Sequence, residues 1–325
     1  YKRLHPGMNS AFGFFLLIII GIPGNLFILL KFTYIKIMEK KLLATNVILT
    51  FLSLSNLLVI FSRVIPQALN AIGVQNLLND TECKLALFTY RVSRAMCICT
   101  TSFLSCHQCV LVAPFTRYWI YLKETLTQKL YIIMILLLAM NLSLHPSAIL
   151  YGRARANSTT SPYTLRLVYC DADFLTFVSF LLNGLVSVIR EIIFVGLMTL
   201  SSTYMVTILY QHGNTMKGVR SSERGNRKSR EYKASRAVIL LVALYVMLYG
   251  MDNSMWIYTL SLSNVNTDTN DIRIFLAASY SALSPILIIT TNPKLYRGVK
   301  IPWGKKMSEI EKKDTHNTDL VNSIS

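Results

Sequence analysis

Seven stretches of about twenty residues run almost without charge through this sequence: 10–30, 45–65, 85–110, 130–150, 188–210, 237–262 and 274–291. About 20 helical residues cross the ~30 Å hydrocarbon core of a bilayer. Each stretch is continuously apolar rather than alternating, which favours helices over the strands of a barrel. The expected fold class is an all-α membrane protein, a seven-transmembrane helix bundle. Composition agrees: 53% hydrophobic residues, 15% charged residues and a mean hydropathy of +0.44 exclude an ordinary soluble protein. The net charge of +17 could suggest nucleic acid on a polar surface. The basic residues lie between the apolar runs, so the expected partner is the lipid membrane, with no nucleic acid.

An odd number of crossings puts the termini on opposite sides, and Lys and Arg collect on the cytoplasmic one. Connections 31–45, 110–129, 211–236 and 292–325 carry 22 of them, against six in the N-terminus and connections 70–82, 151–187 and 263–273. The N-terminus is therefore expected outside and the C-terminus inside. Residues 174–210 would make one helix of about 55 Å, so 174–187 are assigned to an extracellular loop or helix extension. Asn79-Asp80-Thr81 and Asn157-Ser158-Thr159 match the glycosylation acceptor pattern in expected outer connections, whereas Asn141-Leu142-Ser143 lies within a span. Cys83 and Cys170 also fall on the side where oxidation is permitted. They are expected to form a disulfide.

No charged n-region, short apolar core and small-residue cleavage site precede the first run, so that span is expected to act as its own insertion signal. A chain opening on Tyr1 is compatible with trimming of a short leader. The polar tail after Lys305 reads as disordered.

No His-Glu-x-x-His, Walker-type glycine loop or Gly-x-Ser-x-Gly occurs, and the five His are scattered. The chain is not expected to be an enzyme. Cys97, Cys99, Cys106 and Cys109 read as free thiols packed in the third span. Cys97 and Cys99 point to different helix faces and cannot share an ion. No metal or cofactor is expected.

Ionisable residues at membrane depth are costly unless paired or functional. Arg91 and Arg94, three apart, share a face of the third helix about 12 to 17 Å inward from Cys83. Arg190 and Glu191 lie near the outer end of the fifth span, Asp252 in the outer half of the sixth and Arg63 near the outer end of the second. Structurally, Arg94 with Glu191 or Asp252 forms a buried pair that sets helix register. Functionally, the surplus of Arg attracts an anionic or acceptor-rich ligand group. Tyr90, Trp256, Tyr258 and Tyr280 are candidates for the apolar walls of such a pocket. On the inner side, the basic loop between Gln211 and Arg236, with Arg230 and Lys233, fits either attraction to anionic lipid or coupling to a cytosolic protein. The segment from Lys294 to Lys306, with Trp303, is suited to the membrane surface.

At the level of motifs, the sequence resembles seven-helix G-protein-coupled receptors, and within them the vomeronasal type 1 pheromone receptors and the fish class A-like olfactory receptors. The resemblance rests on Gly24-Asn25, on Leu54-Ser55-Asn56-Leu57-Leu58 with Pro66-Gln67, and on Cys83-Lys84-Leu85 followed by Arg91-Val92-Ser93-Arg94, Thr100-Thr101, Leu104-Ser105 and Gln108 to Pro114. Phe194-Val195-Gly196-Leu197-Met198, Ser202-Thr203-Tyr204-Met205-Val206 and Leu283-Ser284-Pro285 extend it to the fifth and seventh spans. The acid of the wider rhodopsin-like pattern is replaced by Asn56, its Asp-Arg-Tyr by His107-Gln108-Cys109, and its Asn-Pro-x-x-Tyr by Ser284-Pro285-Ile286-Leu287-Ile288. The sodium site and arginine-based lock of that larger group are therefore not carried over. With no Lys between Ile274 and Thr291, retinal has no Schiff-base partner there.

The resemblance implies an extracellular N-terminus at 1–9, a seven-transmembrane receptor domain at 10–291 and a cytoplasmic tail at 292–325. It implies a plasma-membrane chemosensory receptor of sensory neurons. Its small pheromone or odorant, an acid by the Arg surplus, would sit between spans three, five, six and seven. Arg91 and Arg94 are expected to contact it, with Glu191 orienting them and Asp252, Trp256 and Tyr280 nearby. His107, Gln108, Arg230 and Lys233 are expected at the contact with a heterotrimeric G protein of the inhibitory class. A bitter-taste-like receptor, a transporter or channel, and a non-signalling scaffold are the alternatives.

Overall fold

The computed structural model describes residues 6–40, 42–74, 77–113, 116–154, 164–166, 170–174, 176–215, 224–261, 267–292 and 295. Helix α1 covers Pro6–Glu39, and α2, Ala44–Val59, runs through a π turn at Ile60–Val64 into α3, Ile65–Ala71. Then come α4 (Asp80–Val112), α5 (Arg117–Gln128), α6 (Leu130–Leu144), α7 (Ser147–Tyr151), α8 (Phe177–Thr215), α9 (Arg224–Ser261) and α10 (Thr267–Thr291). Among the described residues, seven helical segments are long and apolar enough to cross a membrane. The first is α1, the second α2 to α3, the third α4, the fourth α6 with α7, and the fifth to seventh α8, α9 and α10.

Local chemistry explains several boundaries. Pro66 has no N–H to donate, so the turn before it widens to the π form. The fourth span breaks at His145 and Pro146, because proline disfavours helical backbone in the residue before it. Asn79 caps α4 reciprocally with Glu82, whose Oε2 accepts the Asn79 N–H at 2.9 Å. Residues 177–187 are helix continuous with the fifth span, so the extension expected there is helical.

The structure corrects the all-α expectation to mostly helical. Between the fourth and fifth spans, Gly152–Ala154 (β1), Thr164–Arg166 (β2) and Cys170–Asp173 (β3) form an antiparallel sheet in the order β1-β3-β2. Strands this short carry too little alternation to be read from sequence. The Cys83–Cys170 disulfide fastens β3 to the start of α4, with the Cα atoms 5.9 Å apart. That end of the bundle is called the disulfide end below.

One apolar core, including Phe32, Leu52, Ile98, Leu104, Met198 and Leu241, runs through the helices. Lipid tails are as apolar as Leu, so helix association in a bilayer draws on close packing and hydrogen bonds instead. Both are present. A Cβ on Gly21 would lie 2.5 Å from Ile60 Cδ1, and one on Gly24 would lie 3.0 Å from Pro285, so these glycines let the first span approach the second and seventh. Asn25 Nδ2 donates to the Gly21 and Ser281 carbonyls at 2.8 and 2.9 Å. Asn56 Nδ2 donates to Asn25 Oδ1 at 3.2 Å and Ser284 Oγ at 2.9 Å, while Cys97 Sγ lies 3.2 Å from Asn56 Oδ1. This neutral network joins spans one, two, three and seven, and its Asn25, Asn56 and Ser284 belong to the motifs that carry the family resemblance.

Candidate functional site

Helix geometry places Tyr90 and Arg94 one turn apart on α4, and Arg94 Nη1 donates to Tyr90 Oη at 3.1 Å. Arg94 Nη2 reaches across to Asp252 Oδ2 of α9 at 2.8 Å. Arg273 of α10 stands 4.0 Å from the other Asp252 oxygen, and the Arg63 guanidinium lies 5.3 Å from the centre of the Tyr90 ring. Burial penalises these charges, and ion pairing with hydrogen bonding offsets that penalty.

The Arg94–Asp252 pair lines a small, partly open crevice of about 20 Å³. Val59, Tyr245, Leu276 and Tyr280 form its apolar walls. Tyr245 stacks on Tyr249 at 5.9 Å and meets Tyr280 edge-on at 4.9 Å. Tyr280 Oη shares a 2.7 Å hydrogen bond with Thr101 Oγ1, which satisfies the one polar atom of a buried ring. The walls come from spans two, three, six and seven. These spans differ in one member from those expected to hold the ligand, with the second where the fifth was expected.

Arg91 is not in that wall. Its Nη1 donates to Asn183 Oδ1 of α8 at 3.1 Å and to Ser147 Oγ of α7 at 3.3 Å. The two arginines read as one face therefore divide between two clusters. Glu191, expected to orient Arg91 and Arg94, has its contacts with other side chains. Its Oε2 accepts the Tyr249 hydroxyl at 2.9 Å and its Oε1 lies 3.6 Å from Arg190 Nη2, whereas Asp252 is the acid that holds Arg94.

At the opposite end of α4, His107 and Gln108 are buried at 3% and 2% exposure. Gln108 Nε2 donates to Thr45 Oγ1 of α2 at 2.9 Å, so both expected coupling residues face the interior in this arrangement. The side chains of Trp256, Tyr258, Arg230 and Lys233 lie outside the described residues, as do Asn157 and the segment from Lys294 to Lys306 apart from Leu295. Cys97, Cys99, Cys106 and Cys109 are free thiols.

Sequence reasoning missed Ser147, Asn183, His145, Tyr245, Tyr249 and Arg273 as members of these clusters. Arg273 and His145 carried a usable signal, an ionisable group close to a span end. The serine and asparagine carried none, because such residues are common in membrane helices.

Seven helices long and apolar enough to cross a membrane, with a disulfide and a small sheet at one end, fit a multi-pass helical membrane protein. The model of the vomeronasal organ pheromone receptor family matches residues 8–301, and the chain belongs to that family. It is 36% identical over 277 residues to olfactory receptor class A-like protein 1 of Danio rerio, covering 85% of this chain and 87% of that one. It is 27% identical to vomeronasal type-1 receptor 3 of Homo sapiens, covering 89% and 93%, and 27% identical to vomeronasal type-1 receptor 90 of Rattus norvegicus, covering 90% and 94%. Family membership makes the chain a chemosensory receptor of the G-protein-coupled class rather than an enzyme, a class that generally takes small-molecule ligands and couples to G proteins.

Proposed function

We propose that the chain is a plasma-membrane receptor of chemosensory neurons that binds a small acidic odorant or pheromone and activates an inhibitory-class heterotrimeric G protein. The disulfide end faces outward and the tail inward, with 1–9 extracellular, 10–291 the receptor domain and 292–325 cytoplasmic. The Lys/Arg asymmetry supports this orientation. Glycosylation at Asn79 and Asn157 follows from it, and loss of apparent mass after glycosidase digestion of surface protein is the check.

The observation that carries the ligand reading is the Arg94–Asp252 pair in the wall of an aromatic crevice. Around the crevice itself, Arg94 and Arg273 both reach Asp252 and Arg63 lies against the Tyr90 ring. A ligand carboxylate competes with Asp252 for the Arg94 guanidinium, which presents parallel donors to a planar anion. Tyr280 supplies apolar contact. Taking Arg94 from Asp252 releases a tie between the third and sixth spans. A ligand that binds the released state more tightly shifts the population toward it. The far end then opens, exposing His107 and Gln108 beside Arg230 and Lys233 to the G protein, whose binding raises ligand affinity reciprocally.

The test is ligand-evoked G-protein activation in cells with verified surface delivery, comparing small acids, steroidal acids and amines with an untransfected control. Acids are expected to activate, and Arg94→Gln is expected to raise the half-effective concentration at least about tenfold, as loss of a charge-assisted hydrogen bond implies. Equal activation by amines, with acid responses unchanged in Arg94→Gln, overturns the acidic-ligand reading.

A further inference from the structure

Asp252 faces two guanidiniums but bonds only one of them. Arg94 Nη2 donates to Oδ2 at 2.8 Å, whereas Oδ1 is buried and accepts no hydrogen bond. The other cation beside that oxygen is Arg273, whose Nε stands 4.0 Å from it. A charge-assisted N–H···O bond is about 2.8 Å long, so a shift of about 1 Å closes the gap. Arg273 can make that shift. Its side chain is 37% exposed, and among the described residues no hydrogen bond holds its guanidinium elsewhere. It also lies one helical turn from Leu276 and Ala277, which line the crevice, and so occupies the face of α10 that looks toward Asp252.

Space and charge set what an entering acid must do. A crevice of about 20 Å³ holds about one water-sized group, so a carboxylate enters only by displacing part of the ion pair. If Arg94 turned to that carboxylate with nothing in its place, Asp252 would be left as an uncompensated buried charge, which is the costly way to break such a pair. With Arg273 on Oδ1, each acid keeps a guanidinium: the entering carboxylate has Arg94, and Asp252 has Arg273.

We propose that Arg273 is a positioning residue that takes over Asp252 when Arg94 turns to a ligand carboxylate, moving the ionic tie of the sixth span from the third span to the seventh. The sixth span stays fastened to the seventh while it is released from the third. What draws Arg94 away rests on the acidic-ligand reading of the crevice, but the takeover itself can be measured without a ligand, by removing Arg94.

Thermal unfolding midpoints of purified full-length receptor in lipid nanodiscs are compared with no ligand added. Arg273→Gln alone is expected to move the midpoint by no more than about 2 °C, because the contact it removes is long and part-exposed. In an Arg94→Gln background, where Arg273 has become the partner of Asp252, the same substitution is expected to lower the midpoint at least about 3 °C beyond the sum of the two single shifts, since the carboxylate is then buried alone. Arg94→Gln with Arg273→Lys keeps a cation there and is expected to stay near Arg94→Gln. Adding Asp252→Asn to the double glutamine variant removes the stranded charge and should restore the midpoint, which a packing role for the two arginines would not do. Should the double variant fail to fold, its surface delivery with and without Asp252→Asn makes the same comparison. Shifts that add in every combination, or a double variant whose midpoint and delivery are no better with Asp252→Asn, overturn the proposal. If amines activate as well as acids, the acidic-ligand reading falls, while a greater-than-additive loss of midpoint still supports the takeover.

Discussion

Asp252→Asn is the substitution that most directly probes how the crevice controls the receptor. The side chains of Arg94 and Asp252 are 24% and 12% exposed. The pair therefore lies between a surface salt bridge, worth about 0–1 kcal/mol, and a fully buried one, whose rupture costs about 3–5 kcal/mol. Arg94 keeps its Tyr90 contact when Asp252 is neutralised, which places the loss near the lower part of that interval, about 2 kcal/mol. If the tie is broken in the signalling state, that energy comes entirely from the resting state. It multiplies the active-to-resting ratio about 30-fold, since about 1.4 kcal/mol is one power of ten. A receptor resting at about 1% active would then be about one quarter active without ligand. Basal G-protein activation, normalised to surface protein, is the assay. Arg94→Gln should raise it similarly, and the double variant should raise it no further, because both substitutions remove one interaction. Unchanged basal activity in both single variants, or a double variant equal to the product of the two, would refute the assignment of this pair as the controlling tie.

Three further outcomes follow from other contacts. Gln108→Leu and Thr45→Val each remove the hydrogen bond joining α4 to α2 at the far end, worth about 1 kcal/mol; each should raise basal activation about fivefold and the pair no more than either alone. Asn56→Asp places a carboxylate oxygen where Nδ2 now donates to Asn25 Oδ1, so the receptor should lose about 1–3 kcal/mol, read as a lower thermal midpoint and lower surface yield. Cys83→Ser removes a crosslink spanning 87 residues, for which chain-entropy reasoning gives about 4–5 kcal/mol; surface delivery should fall, and Cys170→Ser should match it with the double variant no worse.

The membrane architecture was legible because it rests on a local quantity. About 20 apolar residues in a row have one favourable solvent, and the backbone must then satisfy its own hydrogen bonds. The family motifs Asn25, Asn56 and Ser284 were equally legible, though their convergence on one network required the folded chain. The small sheet was not legible, since three short strands carry almost no periodic signal.

The candidate site divides along the same line. From Cys83 to Arg94 the sequence alone placed two guanidiniums on the third span and offered Glu191 or Asp252 of other spans as the partner of Arg94, since the cost of burying charge is a property of the residue. It could not determine which acid or which crevice. Arg91 and Arg94 differ by three helical positions, yet Arg94 meets Asp252 of the sixth span and Arg91 meets Ser147 and Asn183 of the fourth and fifth. That choice depends on the rotation and spacing of neighbouring helices, set by contacts such as Gly21 on Ile60 and by the break at Pro146. Hydropathy and helical period are fixed residue by residue along a chain; the partner of a charge is fixed only when separate helices have packed.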